Sequence, residues 1–196
     1  MTEDNKMSCY WWYEAPPRPA PKTSWASATD VAIIGCGFTG LSAALTLARA
    51  GREVVILEKN LIGEGASTRN GGITSGNIRL SSRQLARRFG PERAQTFIDE
   101  SVAARADLER FIEENKINCD YQPVGRIVGL MGSFSSQTIE RDHNKFADRY
   151  NIEPRLISKS EMAEYTSSKK YEAGIYRPDI GGIHPAKLFH EMARLA

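Results

Sequence analysis

The sequence predicts an α/β fold: a parallel βαβ unit followed by mixed helices and strands. Three observations carry that prediction. Asp30-Val31-Ala32-Ile33-Ile34 and Glu53-Val54-Val55-Ile56-Leu57 are short, continuously apolar, β-branched runs, of the kind buried on both faces of a parallel sheet. Between them, Phe38 to Ala50 has helical spacing, with Leu41, Ala44, Leu45 and Ala48 on one side, and Gly51 supplies a stop. The connection from the first run into the helix reads Gly35-Cys36-Gly37-Phe38-Thr39-Gly40. A strand, a helix and a second parallel strand make a right-handed crossover almost without exception.

Composition bounds the rest. The chain has 196 residues, 41% hydrophobic and 26% charged, so it is globular rather than disordered or fibrous. Lys and Arg number 26 against 24 Asp and Glu, and a net charge of +2 argues against a general nucleic-acid binder. No apolar run approaches the ~18 residues of a membrane span. The start, Met1-Thr2-Glu3-Asp4-Asn5-Lys6, lacks the basic and then apolar pattern of a secretory signal. Cys9, Cys36 and Cys119 are odd in number and far apart, and His143, His184 and His190 are equally scattered. Neither a disulfide framework nor a structural zinc site is expected, and a cytoplasmic, reducing environment is the default.

The elements follow in order. Residues 1–29 read as an extended arm, because Pro16, Pro17, Pro19 and Pro21 follow Tyr10-Trp11-Trp12-Tyr13. Its aromatics are expected to pin it to its own protein, the alternative being a platform for a partner. Residues 60–78 are glycine-rich loop. Pro91 opens a long helix to about Asn115, with an apolar stripe from Ala94, Phe97 and Ile98 to Phe111 and Ile112. A strand is expected over Gly125–Leu130 and a helix over 135–150. Beyond these come a strand at Leu156-Ile157, a helix at Ser160–Tyr165 and a strand near Gly174–Tyr176. Gly181 to Pro185 reads as a turn before a final helix. No second βαβ half is visible in 79–196.

The glycine-rich connection has a mechanism. Gly35 permits a tight turn, Gly37 lets a pyrophosphate approach bare backbone, and Gly40 lets helix and strand pack closely. Free N–H groups and the helix dipole then favour a phosphate by about 0.3–1 kcal/mol. Glu58 ends the second strand eighteen residues after Gly40, where a carboxylate accepts both ribose hydroxyls and repels a 2′-phosphate. Cys36, between the glycines, reads as a small tolerated residue, with a redox role as the alternative. The βαβ unit by itself separates neither NAD from FAD nor a binding unit from a purely structural one.

The next loop is more specific. It reads Gly63-Glu64-Gly65-Ala66-Ser67-Thr68-Arg69-Asn70-Gly71-Gly72-Ile73. With Trp11-Trp12 and Ala15-Pro16-Pro17 upstream, it resembles the D-amino-acid oxidase-like superfamily of flavin enzymes. Within that superfamily it is most similar to the glycine/D-amino-acid oxidase and γ-glutamylputrescine oxidase branch. Thr68 stands where the family usually has Gly. The likeness runs from about residue 8 to the end. It implies FAD as cofactor, contacted by Gly35, Gly37, Phe38, Thr39, Gly40, Glu58 and Lys59 around the turn. The loop would add Gly65, Ala66, Ser67, Thr68, Arg69, Asn70, Gly71 and Gly72, the last three toward the isoalloxazine.

Chemistry agrees with that loop. Ser67, Thr68, Arg69 and Asn70 are donors among glycines, and a guanidinium forks well onto a phosphate. Gly65 to Pro91 contains no Asp or Glu but holds Arg69, Arg79, Arg83, Arg87 and Arg88. The field would suit a diphosphate and an anionic reduced flavin. Arg79, Arg83 and Arg87, spaced by four, read instead as a solvated helix face. His184, before Pro185, reads as a structural cap rather than a base.

The resemblance implies a Rossmann-like FAD-binding βαβ unit (30–80), the start of an α+β substrate domain (81–178) and a return segment (179–196). Family members are about twice this long, so the expectation is the N-terminal portion of an oxidoreductase. It would oxidise the C–N bond of a small amine or amino acid, with O2 or another acceptor taking the electrons. No residue is singled out as catalytic. The alternatives are an NAD-binding dehydrogenase module and an inactive fragment acting through its aromatic arm.

Overall fold

The structure is a computed structural model that describes residues 8–21, 27–132 and 136–196. After a 3-10 turn at Tyr10–Tyr13 come β1 (Val31–Ile34), α1 (Phe38–Arg49) and β2 (Val54–Leu57). A second 3-10 turn, Ala66–Thr68, precedes β3 (Ile73–Thr74), α2 (Ser82–Phe89) and α3 (Pro91–Glu114). Then follow β4 (Arg126–Met131), α4 (Ser136–Tyr150), β5 (Arg155–Ile157) and α5 (Lys159–Tyr165). β6 (Tyr171–Arg177), β7 (Gly181–Gly182) and α6 (Pro185–Leu195) complete the order. Two compact units form. One joins Met1–Gly72, Lys116–Tyr121 and Ile183–Ala196; the other joins Ile73–Asn115 and Gln122–Gly182.

The first unit holds the predicted βαβ. β1 and β2 pair in parallel, from Val31 opposite Val54 to Ile34 opposite Leu57. Asp30 locks the entry by accepting the Glu53 N–H at 3.0 Å. α1 buries Gly40, Leu41, Ala44 and Leu45. Ala48, expected on that stripe, is exposed. Gly51 ends the helix at φ +76°, a conformation cheap only for glycine.

Burial of β1 on both faces is not met, since Ile34 is 89% exposed. The cause is geometric. Gly40 of α1 lies against Ile33, and Ala32 and Ile34 point to the opposite face of the strand. Among the described residues this sheet has two strands, and that face has no cover.

The arm departs from the extended reading over Tyr10–Tyr13, which form a 3-10 turn. Its prolines begin only at Pro16, so they do not forbid a turn ahead of them. Beyond it, Arg18 forms an antiparallel bridge with Ile62. Lys187 of α6 holds the arm further, pairing with Glu14 at 2.5 Å and Asp120 at 2.7 Å.

In the second unit β4, β6 and β5 form an antiparallel sheet in that order. α5 packs on β6, and Gly174 leaves room for Met162 and Ile127. Gly181–Gly182, expected within a turn, pairs with β3. α2 is a helix that the sequence signalled through Ser81 and Gln84: each side chain bonds the other's backbone N–H in a capping box. Leu85, Ala94 and Ile98 form a small core between α2 and α3. Arg83 and Arg87 are exposed on α2, as the solvated-face reading expects, whereas Arg79 lies ahead of the helix.

Candidate functional site

The β1–α1 turn is built by backbone that only glycine permits. Gly35 sits at φ +97° and donates its N–H to Leu57 at 2.8 Å, tying the turn to β2. A Cβ on Gly40 would lie 2.1 Å from the Gly35 carbonyl oxygen, so helix and turn touch with no space between them. Gly37 is the N-cap of α1 and supplies no side-chain acceptor. Among the described residues the N–H groups of Gly37, Thr39 and Gly40 meet no acceptor. These are the orphan donors of a helix start, gathered where the backbone is bare.

Ser67 brings the two predicted stretches together. Its Oγ accepts the Phe38 N–H at 3.0 Å and faces Gly37, where a Cβ would stand 3.3 Å away. Phe38 is set from the other side by Phe189 of α6, edge-on at 6.0 Å. Thr39 and Lys59 are exposed, as are Gly65, Ala66 and Gly71.

Glu58 reaches the turn as expected, but its oxygens are engaged within the chain. Oε2 accepts the Cys36 N–H at 2.8 Å and Oε1 accepts the Asn60 N–H at 3.1 Å. A carboxylate has about four acceptor positions, so some capacity remains for a ribose hydroxyl. Those bonds, Cys36 first and then Asn60, hold the Glu58 carboxyl below its usual range. Burial and then the Glu58 charge push the Cys36 thiol up, which keeps it protonated and agrees with a packing role.

A pH dependence follows from this. A depressed carboxyl contributes stability that is fully present above its unfolded value of about 4.3 and is lost as pH falls through the folded value. Denaturation midpoints of the wild type and Glu58→Gln are therefore expected to run parallel above about pH 5. Below that, the wild type should fall more steeply. Parallel profiles throughout would show that Glu58 does not clamp the turn.

The rest of the loop is organised by the arm. Thr68 is fully buried, and its hydroxyl donates to the Gly63 carbonyl at 2.6 Å while accepting the Trp12 indole N–H at 2.9 Å. Its side chain is thus spent inside the chain. Asn70 closes the loop on itself, donating to Ser67 O at 2.8 Å and accepting the Gly72 N–H at 2.9 Å. Trp11 donates to the Asn70 carbonyl at 2.7 Å. The Arg69 guanidinium lies over the Trp12 ring, 5.9 Å from its centroid. Gly72 packs against Ile183, and His184 caps α6 by accepting the Lys187 N–H at 3.2 Å, the structural role expected of it. The loop-holding roles of Trp11 and Trp12 were not assigned by sequence reasoning. The expectation that the arm's aromatics pin it to its own protein is met, with the loop as their anchor.

Turn, loop and arm are accompanied by a family match. The model described as DAO, FAD dependent oxidoreductase, matches residues 30–196. The chain belongs to the DAO family of FAD-dependent oxidoreductases. This DAO-family chain is 36% identical over 196 residues to the probable oxidoreductase OrdL of Rhizobium meliloti (strain 1021), covering 95% of the chain and 44% of the relative. It is 31% identical over 159 residues to γ-glutamylputrescine oxidoreductase of Escherichia coli (strain K12), covering 81% and 37%. Glycine oxidase from Geobacillus kaustophilus shares the fold at TM-score 0.65 and 22% identity, over 85% of this chain and 44% of that one. The chain therefore spans less than half the length of the curated relatives it matches.

The DAO-family cofactor is FAD, and the NAD-module reading gives way to it. The residues present fit that cofactor, because the orphan amides of Gly37, Thr39 and Gly40 and the spare acceptor capacity of Glu58 suit a diphosphate and a ribose. Among the described residues no helix is long and apolar enough to cross a membrane. No group of His, Cys, Asp or Glu among them could hold a metal ion.

Proposed function

We propose that this chain forms the nucleotide-holding part of an oxidoreductase that oxidises the C–N bond of a small amine or amino acid. The observation that carries the reading is the set of unpartnered amides at Gly37, Thr39 and Gly40, with Ser67 closing on the same turn. When bound, FAD supplies an acceptor for the hydride leaving the carbon next to nitrogen. The chain's own residues bind and orient. The turn amides and the α1 dipole receive the diphosphate, and Glu58 accepts the ribose hydroxyls. Ser67 would stay beside the turn, Arg69 would fork onto a phosphate, and Asn70, Gly71 and Gly72 would lie toward the ring system. Residues 81–178 begin the substrate domain and 179–196 return to the FAD domain. O2 or another acceptor completes the turnover.

Titrating FAD into the purified 196-residue chain tests the reading. Saturable quenching of flavin fluorescence is expected, with NADPH giving none. Glu58→Ala should weaken FAD binding about tenfold, the worth of a charged hydrogen bond. Quenching by NADH with no response to FAD would overturn the reading.

A further inference from the structure

Arg79 was singled out in the sequence for its place in an acid-free, arginine-bearing stretch, and the FAD site does not use it. In the second unit it lines a cleft of about 600 Å3 together with Arg126, Lys145, Arg149 and Arg177. Among the described residues no carboxylate lines this cleft. Its apolar surface comes from Val128 of β4 and from Phe146 and Tyr150 of α4.

The arrangement is electrostatically costly as it stands. Arg126 and Arg177 are directly opposite in the β4–β6 ladder, and like charges so placed destabilise a sheet. Arg177 is relieved locally. It is 2% exposed, its guanidinium pairs with both oxygens of Asp179, and Nη1 donates to Asn77 at 2.8 Å. Phe146 and Tyr150 stack on it, with centroids at 4.8 and 4.4 Å. It is a rigid, neutralised base plate.

Of the other four cations, Arg79, Arg126 and Lys145 are exposed, and Arg149 lies over the Tyr150 ring at 5.2 Å. Among the described residues no carboxylate pairs with Arg79, Arg126, Lys145 or Arg149. Arg149 donates from Nη2 to the Leu80 carbonyl at 2.6 Å, while its buried Nε–H meets no acceptor. A buried donor left without an acceptor is costly. Four cations without a carboxylate partner converge on one cleft, an arrangement suited to a ligand that brings the opposite charge.

We propose that this cleft binds a small, multiply charged oxyanion, independently of the FAD reading. Forked guanidinium groups suit the oxygens of phosphates and carboxylates alike. A polyphosphate or phosphate ester and a tricarboxylate are therefore the two sources of the same chemistry.

Isothermal titration of the 196-residue chain at low salt, with tripolyphosphate in one arm and citrate in the other, tests this. One saturable site is expected, weakening as salt rises. The tighter arm identifies the source. Arg126→Gln with Lys145→Gln should lower affinity at least about tenfold, and Arg79→Gln alone should lower it in the same direction. Arg83→Gln with Arg87→Gln removes the same charge from an exposed face and should leave binding unchanged. The titration is repeated with FAD present in excess, and circular dichroism confirms that the variants fold. Three results would each overturn the proposal: no saturable binding in either arm, an equal loss in both double variants, or abolition by FAD.

Discussion

Gly40→Ala is expected to unfold at a markedly lower denaturant concentration than the wild type and to lose FAD binding. The new methyl would lie 2.1 Å from the Gly35 carbonyl oxygen and 3.3 Å from Ile33 Cγ2. A backbone oxygen cannot rotate away as a side chain does, so either α1 moves off β1 or the Gly35 turn opens. Overpacking of this kind costs about 1–3 kcal/mol, here toward the upper end. Alanine's better helix propensity returns about 1 kcal/mol. The clash prevails, and a loss near 2 kcal/mol is a large fraction of a total stability of about 5–15 kcal/mol. Gly65→Ala is the comparator. Its Cβ would meet nothing within 4 Å and its φ is −76°, so its midpoint should stay within about 0.5 kcal/mol of wild type. Equal midpoints for the two variants would mean that helix and turn do not touch at Gly40.

Gly72→Ala should be at least as damaging, for two separable reasons. Its φ of +66° costs an L-residue about 1–2 kcal/mol. Its Cβ would also stand 2.2 Å from the Ile183 carbonyl oxygen, with Trp11 close by, adding about 1–3 kcal/mol of overpacking. Gly51→Ala separates them, because Gly51 has φ +76° and open space around it. Urea denaturation is expected to place Gly72→Ala about 1–3 kcal/mol below Gly51→Ala. Tryptophan emission should change in Gly72→Ala alone, as Trp11 is displaced. Equal losses would show that the loop does not seat against the start of α6.

How far each feature could be read from the chain depended on how local its cause is. The βαβ unit was legible because three glycines, two apolar runs and one helical stripe act within a few residues of one another. Glu58 was placed correctly at the end of β2, although its use as a clamp on the Cys36 and Asn60 amides depends on distances that spacing does not encode. Thr68 shows the opposite case. Read as a donor to the cofactor, it is the fully buried post on which Trp12 hangs, through a bond between residues 56 positions apart. Arg79 matched a four-residue helical spacing, yet Ser81 caps α2 after it and leaves it at the cleft. Ile34 belonged to a run that reads as fully buried, and burial depends on how many layers cover a strand rather than on the strand itself.

Local backbone chemistry, written into glycine positions and apolar periodicity, was enough to establish the parallel unit and its glycine turn, while kinship with flavoenzymes came from the resemblance of the Gly63–Ile73 loop. Folding in three dimensions decided which side chains are spent as scaffold and which stay available. It set Ser67 on the Phe38 amide, the tryptophans on the loop, and five arginine and lysine side chains around one cleft. Hydrogen-bond partners and uncompensated charges are properties of groups brought together from distant positions, so no reading along the chain contains them.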